Sequence, residues 1–313
     1  MKKYIVQRLL YLIPILLGIT ILSFGLMRTV TGDAIDVMEA NRGTVLNEEA
    51  KAQMRAELNL DKPFIVQYGI WLKDMMAGDM GKSYVSGKPV FSTFMEKLPT
   101  TILLTITSII ATIIISVPLG IISAVKHNKW EDYIIRFLSF IGNSLPGFFV
   151  SLLLIYIFSI KLNLLPVMNT SVNIQSIIMP TMTLTIAMSA KYIRQIRTVI
   201  LEELNKDYVI AAKARGIRYK TIMLTSIMKV VLLSFITLLS LSIGSLLGGT
   251  AIIESIFMWD GVGKMAVDAI LMRDYPVILA YVVWLSIIYV IFNLITDILY
   301  HYLDPRIRLG LKE

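Results

Sequence analysis

The chain has 313 residues, 56% of them apolar and only 17% charged, with a formal net charge of +8. An ordinary soluble domain is about 45–50% apolar and about 25% charged, so this composition excludes a water-soluble globule, and it holds too much apolar surface for a disordered chain. The absence of cysteine removes a disulfide framework, Cys-ligated zinc and a thiol nucleophile, and two histidines, His127 and His301, are too few for a metal-binding His cluster.

Six stretches contain no Asp, Glu, Lys or Arg: Leu9–Met27, Leu98–Val125, Phe137–Ile160, Leu162–Ala190, Val230–Ile253 and Tyr275–Thr296. Each is long enough for a helix to cross a hydrocarbon core about 30 Å thick, whereas barrel strands would alternate over about 10 residues. The fourth opens with polar residues (Asn163, Asn169–Gln175) that read as a loop. The first lacks a small-residue cleavage site after it, which predicts a retained helix rather than a signal peptide. The expectation is an all-α membrane protein of six spans.

Basic residues set the orientation. The N-terminal tail, Lys126–Arg136, Lys191–Lys229 and the C-terminal tail carry 18 Lys and Arg, whereas the short opposite loops carry three: Lys161, Lys264 and Arg273. Both termini are therefore predicted to be cytoplasmic. Thr31–Pro99 is the one sizeable segment outside the lipid. Asn47 is placed to cap a helix running to Leu58, and Pro63 opens a second with Ile65, Tyr68, Leu72 and Met75 at helical spacing. These predict a small helical insertion between spans one and two.

Within the third span, Gly142-Asn143-Ser144-Leu145-Pro146-Gly147 gathers turn-prone and polar residues that lipid would not tolerate, so a break facing a water-filled path is expected. Candidate path residues are Asn143, Ser144, Pro146 and Phe148, with Thr105 and Ser108 of the second span. In the fifth span Ser240, Gly244 and Gly248 form a small-residue stripe for close packing, either within the chain or against a partner. Prolines 14, 118, 146 and 180 lie in or at the ends of spans. Glu254 and Asp297, at the edges of spans five and six, read as interfacial charges.

Lys191–Lys229 carries a net charge of +6. Asp207 is expected to cap a short helix containing Val209, Ile210, Ala212 and Ala214, and Gly216 to stop it. Positive-inside flanking accounts for the charge only, and anionic-lipid binding for the charge and some amphipathicity. Docking to a cytoplasmic protein also accounts for the helix–glycine order and the small residues.

Asp207-Tyr208-Val209-Ile210-Ala211-Ala212-Lys213-Ala214-Arg215-Gly216 resembles the "EAA" loop of permeases in binding-protein-dependent ABC importers, in the form found in the peptide and nickel branch. The Glu position of the general pattern is Ile210, and its later Ile-x-Leu-Pro element reads Ser226-Ile227-Met228-Lys229, both usual in that branch. The resemblance runs along nearly the whole chain. It takes in Thr31-Gly32-Asp33, Leu60-Asp61-Lys62-Pro63, Leu98-Pro99-Thr100-Thr101, Pro118-Leu119-Gly120, Ser144-Leu145-Pro146-Gly147-Phe148, Gly248-Gly249-Thr250-Ala251-Ile252-Ile253-Glu254, Arg273-Asp274-Tyr275-Pro276-Val277 and Leu303-Asp304-Pro305-Arg306. Thr31-Gly32-Asp33 and the Gly248–Phe257 string look closer to nickel permeases than to dipeptide permeases.

The resemblance implies a non-catalytic translocation subunit in a bacterial inner membrane, forming half of a pathway for nickel or a metal chelate, with di- or oligopeptide import as the alternative. It implies ATPase docking through Asp207, Tyr208, Ala211, Ala212, Lys213, Arg215 and Gly216. Its partners would be a second homologous permease, two ATPase subunits, an extracytoplasmic binding protein and membrane lipid, with no nucleic acid. ATP and Mg would be used by the partner ATPases, this chain binding no cofactor or metal and holding no catalytic residue. The one phosphate-loop echo, Gly81-Lys82-Ser83, fails because Met76 stands where a glycine is required. The expected division is 1–30 (tail and first span), 31–99 (external insertion), 100–303 (permease core, with the coupling segment at 202–226) and 304–313 (cytoplasmic tail). A stand-alone channel or secondary transporter would need mid-membrane titratable groups, and a membrane-embedded enzyme a catalytic constellation; neither is present in the sequence.

Overall fold

The computed structural model describes residues 2–29, 35–36, 38–39, 47–167 and 173–303; for residues 2–9, 28–29, 240–245, 247–249, 296–297 and 299–303 it describes the backbone alone. All regular elements among them are helical, and one isolated bridge joins Lys82 to Pro89. The chain divides into two compact units, Met1–Thr101 with Asp260–Ile291, and Ile102–Trp259 with Phe292–Glu313.

The first unit begins with α1 (Lys2–Thr29), which continues through Pro14. Asn47 caps α2 (Glu48–Glu57) as the sequence predicts, its side chain accepting from the Ala50 amide at 2.8 Å. Pro63 precedes α3 (Phe64–Met76), where its missing N–H costs nothing. The packed face of α3 is rotated from the predicted one. Tyr68 is buried, whereas Ile65 is 67% exposed, because the aromatic side chains decide the contact. Phe24 of α1 meets Phe64, Tyr68 and Trp71 at ring distances of 5.5, 5.7 and 6.0 Å, and Thr20 shares a 2.9 Å hydrogen bond with the Tyr68 hydroxyl.

Asp274, just before α12 (Tyr275–Leu303), holds the loop 79–90. One carboxylate oxygen accepts from the Ser83 hydroxyl at 2.5 Å and the other from the Tyr84 amide at 3.0 Å. Ser83 is thus tied to a carboxylate, not placed in a phosphate-binding turn. Phe94 stacks on Trp284 at 5.0 Å above a small core of Met80, Val90, Ala269, Val277 and Ala280. The short helix α11 (Val262–Leu271) starts with the Val262 amide bonded to Thr101 Oγ1 at 2.8 Å. Helix α4 (Val90–Val125) begins before Pro99, which lies inside it; with 36 residues it is about 54 Å long.

The second unit is organised around α7 (Ile174–Leu204), started by a capping box between Asn173 and Ser176. Helices α5 (Trp130–Ser144) and α6 (Gly147–Leu154), the latter running into a π-helical turn at Ile155–Lys161, pack along α7. They meet at 103°, so the predicted break is present. Gly142 permits the close approach there: a Cβ on it would lie 3.1 Å from Ala190 Cβ. After α8 (Asp207–Ala214) and the turn α9 (Tyr219–Ile222), a second π-helical stretch, Met223–Ile227, leads into α10 (Met228–Ile256).

Among the described residues four helices are long and apolar enough to cross a membrane, or five if the bent pair is one span. Helix α7 falls short because Thr and Ser interrupt its apolar run. Thr183, Thr185 and Ser189 are buried against protein, where hydroxyls are tolerated as they are not against lipid. Glu254 is fully buried among protein side chains. The side chains of Ser240, Gly244, Gly248, Asp297 and His301, and the whole of Thr31–Asp33 and Asp304–Arg306, lie outside the described residues.

Candidate functional site

The predicted coupling segment is a short helix fastened to the second unit by one face. Val209 is fully buried and Ala212 is 9% exposed; both enter a core made by Ile196 and Ile200 of α7, Ile222, Met223 and Ile227 around the second π-helical stretch, and Val231 and Phe235 of α10. Burying a side chain such as Val209 contributes about 1.5–3 kcal/mol. Asp207, Tyr208, Ile210, Ala211, Lys213, Ala214, Arg215 and Gly216 are exposed. Ala212, singled out from sequence with the docking residues, therefore anchors the helix instead of facing outward.

Asp207 is not the cap. Lys206 holds that position without a side-chain bond, and Asp207 occupies the first turn, where its charge favours the helix dipole. The C-terminus follows the expected glycine stop. Gly216 has φ +75°, its amide bonds Lys213 O at 2.9 Å, and the Ile217 amide bonds Ala212 O at 3.2 Å, which together form a Schellman motif. Lys213 Nζ lies 5.9 Å from the Tyr219 ring centre, a cation–π contact on the exposed side.

Polar contacts bind α8 to the end of α7. Glu203, 4% exposed, accepts from the Tyr208 hydroxyl at 2.6 Å and from Lys206 Nζ at 2.6 Å. Burial and then the neighbouring Glu203 carboxylate push the Tyr208 phenol up to about 12, so it remains a donor throughout the physiological range. Two turns earlier Arg197 grips Asp132 of α5 through two parallel bonds, Nε–Oδ1 and Nη2–Oδ2, each 2.8 Å. The same carboxylate accepts from Ser123 Oγ of α4 at 2.6 Å and from the Asn128 amide at 3.0 Å. Sequence reasoning missed Asp132, Arg197 and Glu203. The signal was present in part: Arg197 shares its helix face with Ile193, Ile196 and Ile200, where a solvated charge is out of place.

At the α5–α6 break Asn143, Ser144, Pro146 and Phe148 are exposed, the Ser144 hydroxyl bonding Phe140 O at 2.8 Å. Thr105 and Ser108 are 6% and 0% exposed, and Ser108 donates to Leu104 O at 2.7 Å, so both are enclosed among helices. Among the described residues no three His, Asp or Glu side chains group as a metal site.

Residues 116–309 match the family of binding-protein-dependent transport system inner membrane components, and residues 1–105 match the N-terminal region of such components. The chain belongs to that family. An oligopeptide transport system permease protein of Bacillus subtilis (strain 168) is 39% identical, covering 98% of this chain and 99% of its own. A metal-staphylopine import system permease protein of Staphylococcus aureus (strain NCTC 8325 / PS 47) is 32% identical over the whole of both chains. A nickel import system permease protein of S. aureus (strain USA300) is 34% identical over 99% of this chain and 93% of its own. The fold is that of a chain in the inward-facing MetNI methionine ABC transporter, with a TM-score of 0.59 at 15% identity over 69% of this chain and 99% of that one. As a member of this family the protein is a membrane permease subunit of an ABC importer, a non-catalytic translocation component that works with an ATPase and a substrate-binding protein.

Proposed function

We propose that this chain forms half of the pathway of an ATP-driven importer for nickel or a metal chelate, paired with a second homologous permease and served by two ATPase subunits that use ATP and Mg. The observation that carries the coupling assignment is the two-sided α8, held by Val209 and Ala212 and presenting Ile210, Ala211, Lys213 and Arg215 outward. An ATPase groove closing on that face would move α8 as a lever. The membrane region is read as six crossings with α7 as the fourth and both termini cytoplasmic, supported by the excess of Lys and Arg in the predicted cytoplasmic segments. Residues 1–30 form the tail and first span, 31–99 the extracytoplasmic insertion met by the binding protein, 100–303 the permease core and 304–313 the cytoplasmic tail. Asn143, Ser144, Pro146 and Phe148 would line the path against the second permease, and Ser240, Gly244 and Gly248 would allow close helix packing.

A metal passing through this chain would travel inside its chelator, with recognition left to the binding protein. The second reading, di- or oligopeptide import, is favoured by the higher identity of the oligopeptide relative, 39% against 34% and 32% for the nickel and metal-staphylopine relatives. Competition uptake separates the two. Cells expressing the complete importer are given labelled nickel, with and without chelator, or labelled di- and oligopeptides, each alone and with an excess of the other unlabelled. Saturable nickel uptake that peptides leave untouched supports the metal reading; peptide uptake that nickel complexes leave untouched replaces it.

A further inference from the structure

Arg197 lies on α7, the helix that leads to α8, and its partner Asp132 lies on α5. Helix α7 is continuous from Ile174 to Leu204. Near its end Glu203 binds Tyr208 and Lys206; two turns back Arg197 binds Asp132. Asp132 is fully buried, and its two oxygens collect bonds from the last turn of α4 (Ser123), the α4–α5 loop (Asn128) and α7 (Arg197). One carboxylate thus ties three pieces of chain to α5, the helix that leads to the 103° break at Ser144–Gly147.

A buried ion pair is weak grounds for stability, since well-packed apolar side chains of similar volume often serve as well or better. Its directional geometry is the property that apolar packing lacks. Side chains in a greasy contact can slide, whereas two parallel N–H···O bonds at 2.8 Å lose alignment with a shift of about 1 Å. We propose that Asp132 and Arg197 are a positioning pair that carries displacement of α8, through the end of α7, into the α4–α5 corner and so to the break at Ser144–Gly147. This rests on the reading of α8 as the ATPase-docking segment.

The test uses the complete importer reconstituted in proteoliposomes, measuring uptake and ATP hydrolysis on the same preparation. Arg197→Lys keeps the charge and removes the two parallel bonds. The double variant Asp132→Asn/Arg197→Met removes both charges of the pair at nearly constant volume; Arg136, 3.4 Å from the same carboxylate, is 39% exposed and remains solvated. Both are expected to retain the ATPase subunits on co-purification and to hydrolyse ATP, while uptake per ATP falls about tenfold. Unchanged uptake per ATP in both variants would overturn the proposal, as would loss of the ATPase subunits from either, which would put the pair in docking and not in transmission. An Ala211→Trp variant measured alongside tests the underlying reading separately: if it keeps its ATPase subunits, the docking face is misassigned and the proposal falls with it.

Discussion

Ile196 of α7 occupies the space that a side chain at Gly120 of α4 would need. A Cβ built on Gly120 falls 2.6 Å from Ile196 Cγ2 and 3.3 Å from Ile193 O. The two helices touch through the absence of a methyl group, immediately beside the core on which α8 is seated. Gly120→Ala must push α4 from α7 or force Ile196 out of its rotamer, at a cost of about 1–3 kcal/mol. Gly69 of α3 has nothing within 4 Å of a built Cβ, and Gly69→Ala is expected to stabilise its helix by about 0.5–1 kcal/mol. Thermal unfolding of the purified protein should shift in opposite directions for the two variants.

The left-handed backbone at Gly216 makes a second prediction. Its φ of +75° is strained for any residue with a Cβ, although open space surrounds it, so the penalty is conformational and not steric crowding. Gly216→Ala should cost about 1–2 kcal/mol and fray the end of α8, while Gly216→Asn should be milder. Hydrogen exchange at the amides of Gly216 and Ile217, which close the helix, should speed up in the alanine variant first.

Glu203 predicts a local, pH-dependent anchor. Glu203→Ala leaves Tyr208 and Lys206 without their acceptor and should loosen α8 while leaving the membrane helices intact. The Tyr208 phenol is raised in the folded protein to about 12 from an ordinary value of about 10. Its contribution is therefore complete below about pH 10 and is lost as pH climbs through the raised value. The protection of the α8 amides, taken relative to their intrinsic base-catalysed exchange, should be flat through neutral pH and fall in strong alkali, and Tyr208→Phe should abolish that alkaline step.

The loop 79–90 should depend on Asp274. The carboxylate is 3% exposed and accepts from both Ser83 and Tyr84. Asp274→Ala strands two donors at a cost of about 1–3 kcal/mol, released by local opening and not global unfolding. Limited proteolysis between Lys82 and Lys88 should become faster in this variant and in Ser83→Ala.

Much of this architecture is legible in the sequence because lipid and helix geometry leave strong marks. Charge-free windows, the Asn47 cap, the Gly142–Gly147 break and the Gly216 stop each follow from a local rule. The failures have a common cause, which is that enclosure by other helices overrides local pattern. The packed face of α3 follows its aromatic side chains rather than Ile65. Ala212 belongs to the same small-residue run as Ala211 but points inward. The Asp132–Arg197 pair joins positions 65 residues apart, and nothing local to either names the other.

The coupling assignment is tested most directly by cross-linking, for which a chain without cysteine is well suited. Ala211→Cys and Lys62→Cys, each the single thiol of the chain, are labelled with a photoactivatable maleimide in membranes holding the whole importer and then illuminated. The structure predicts an adduct with the ATPase subunit from position 211 and none from position 62. An ATPase adduct from Lys62→Cys, or none from Ala211→Cys while the importer still transports, would contradict the assignment of α8 as the segment through which ATP hydrolysis reaches this chain.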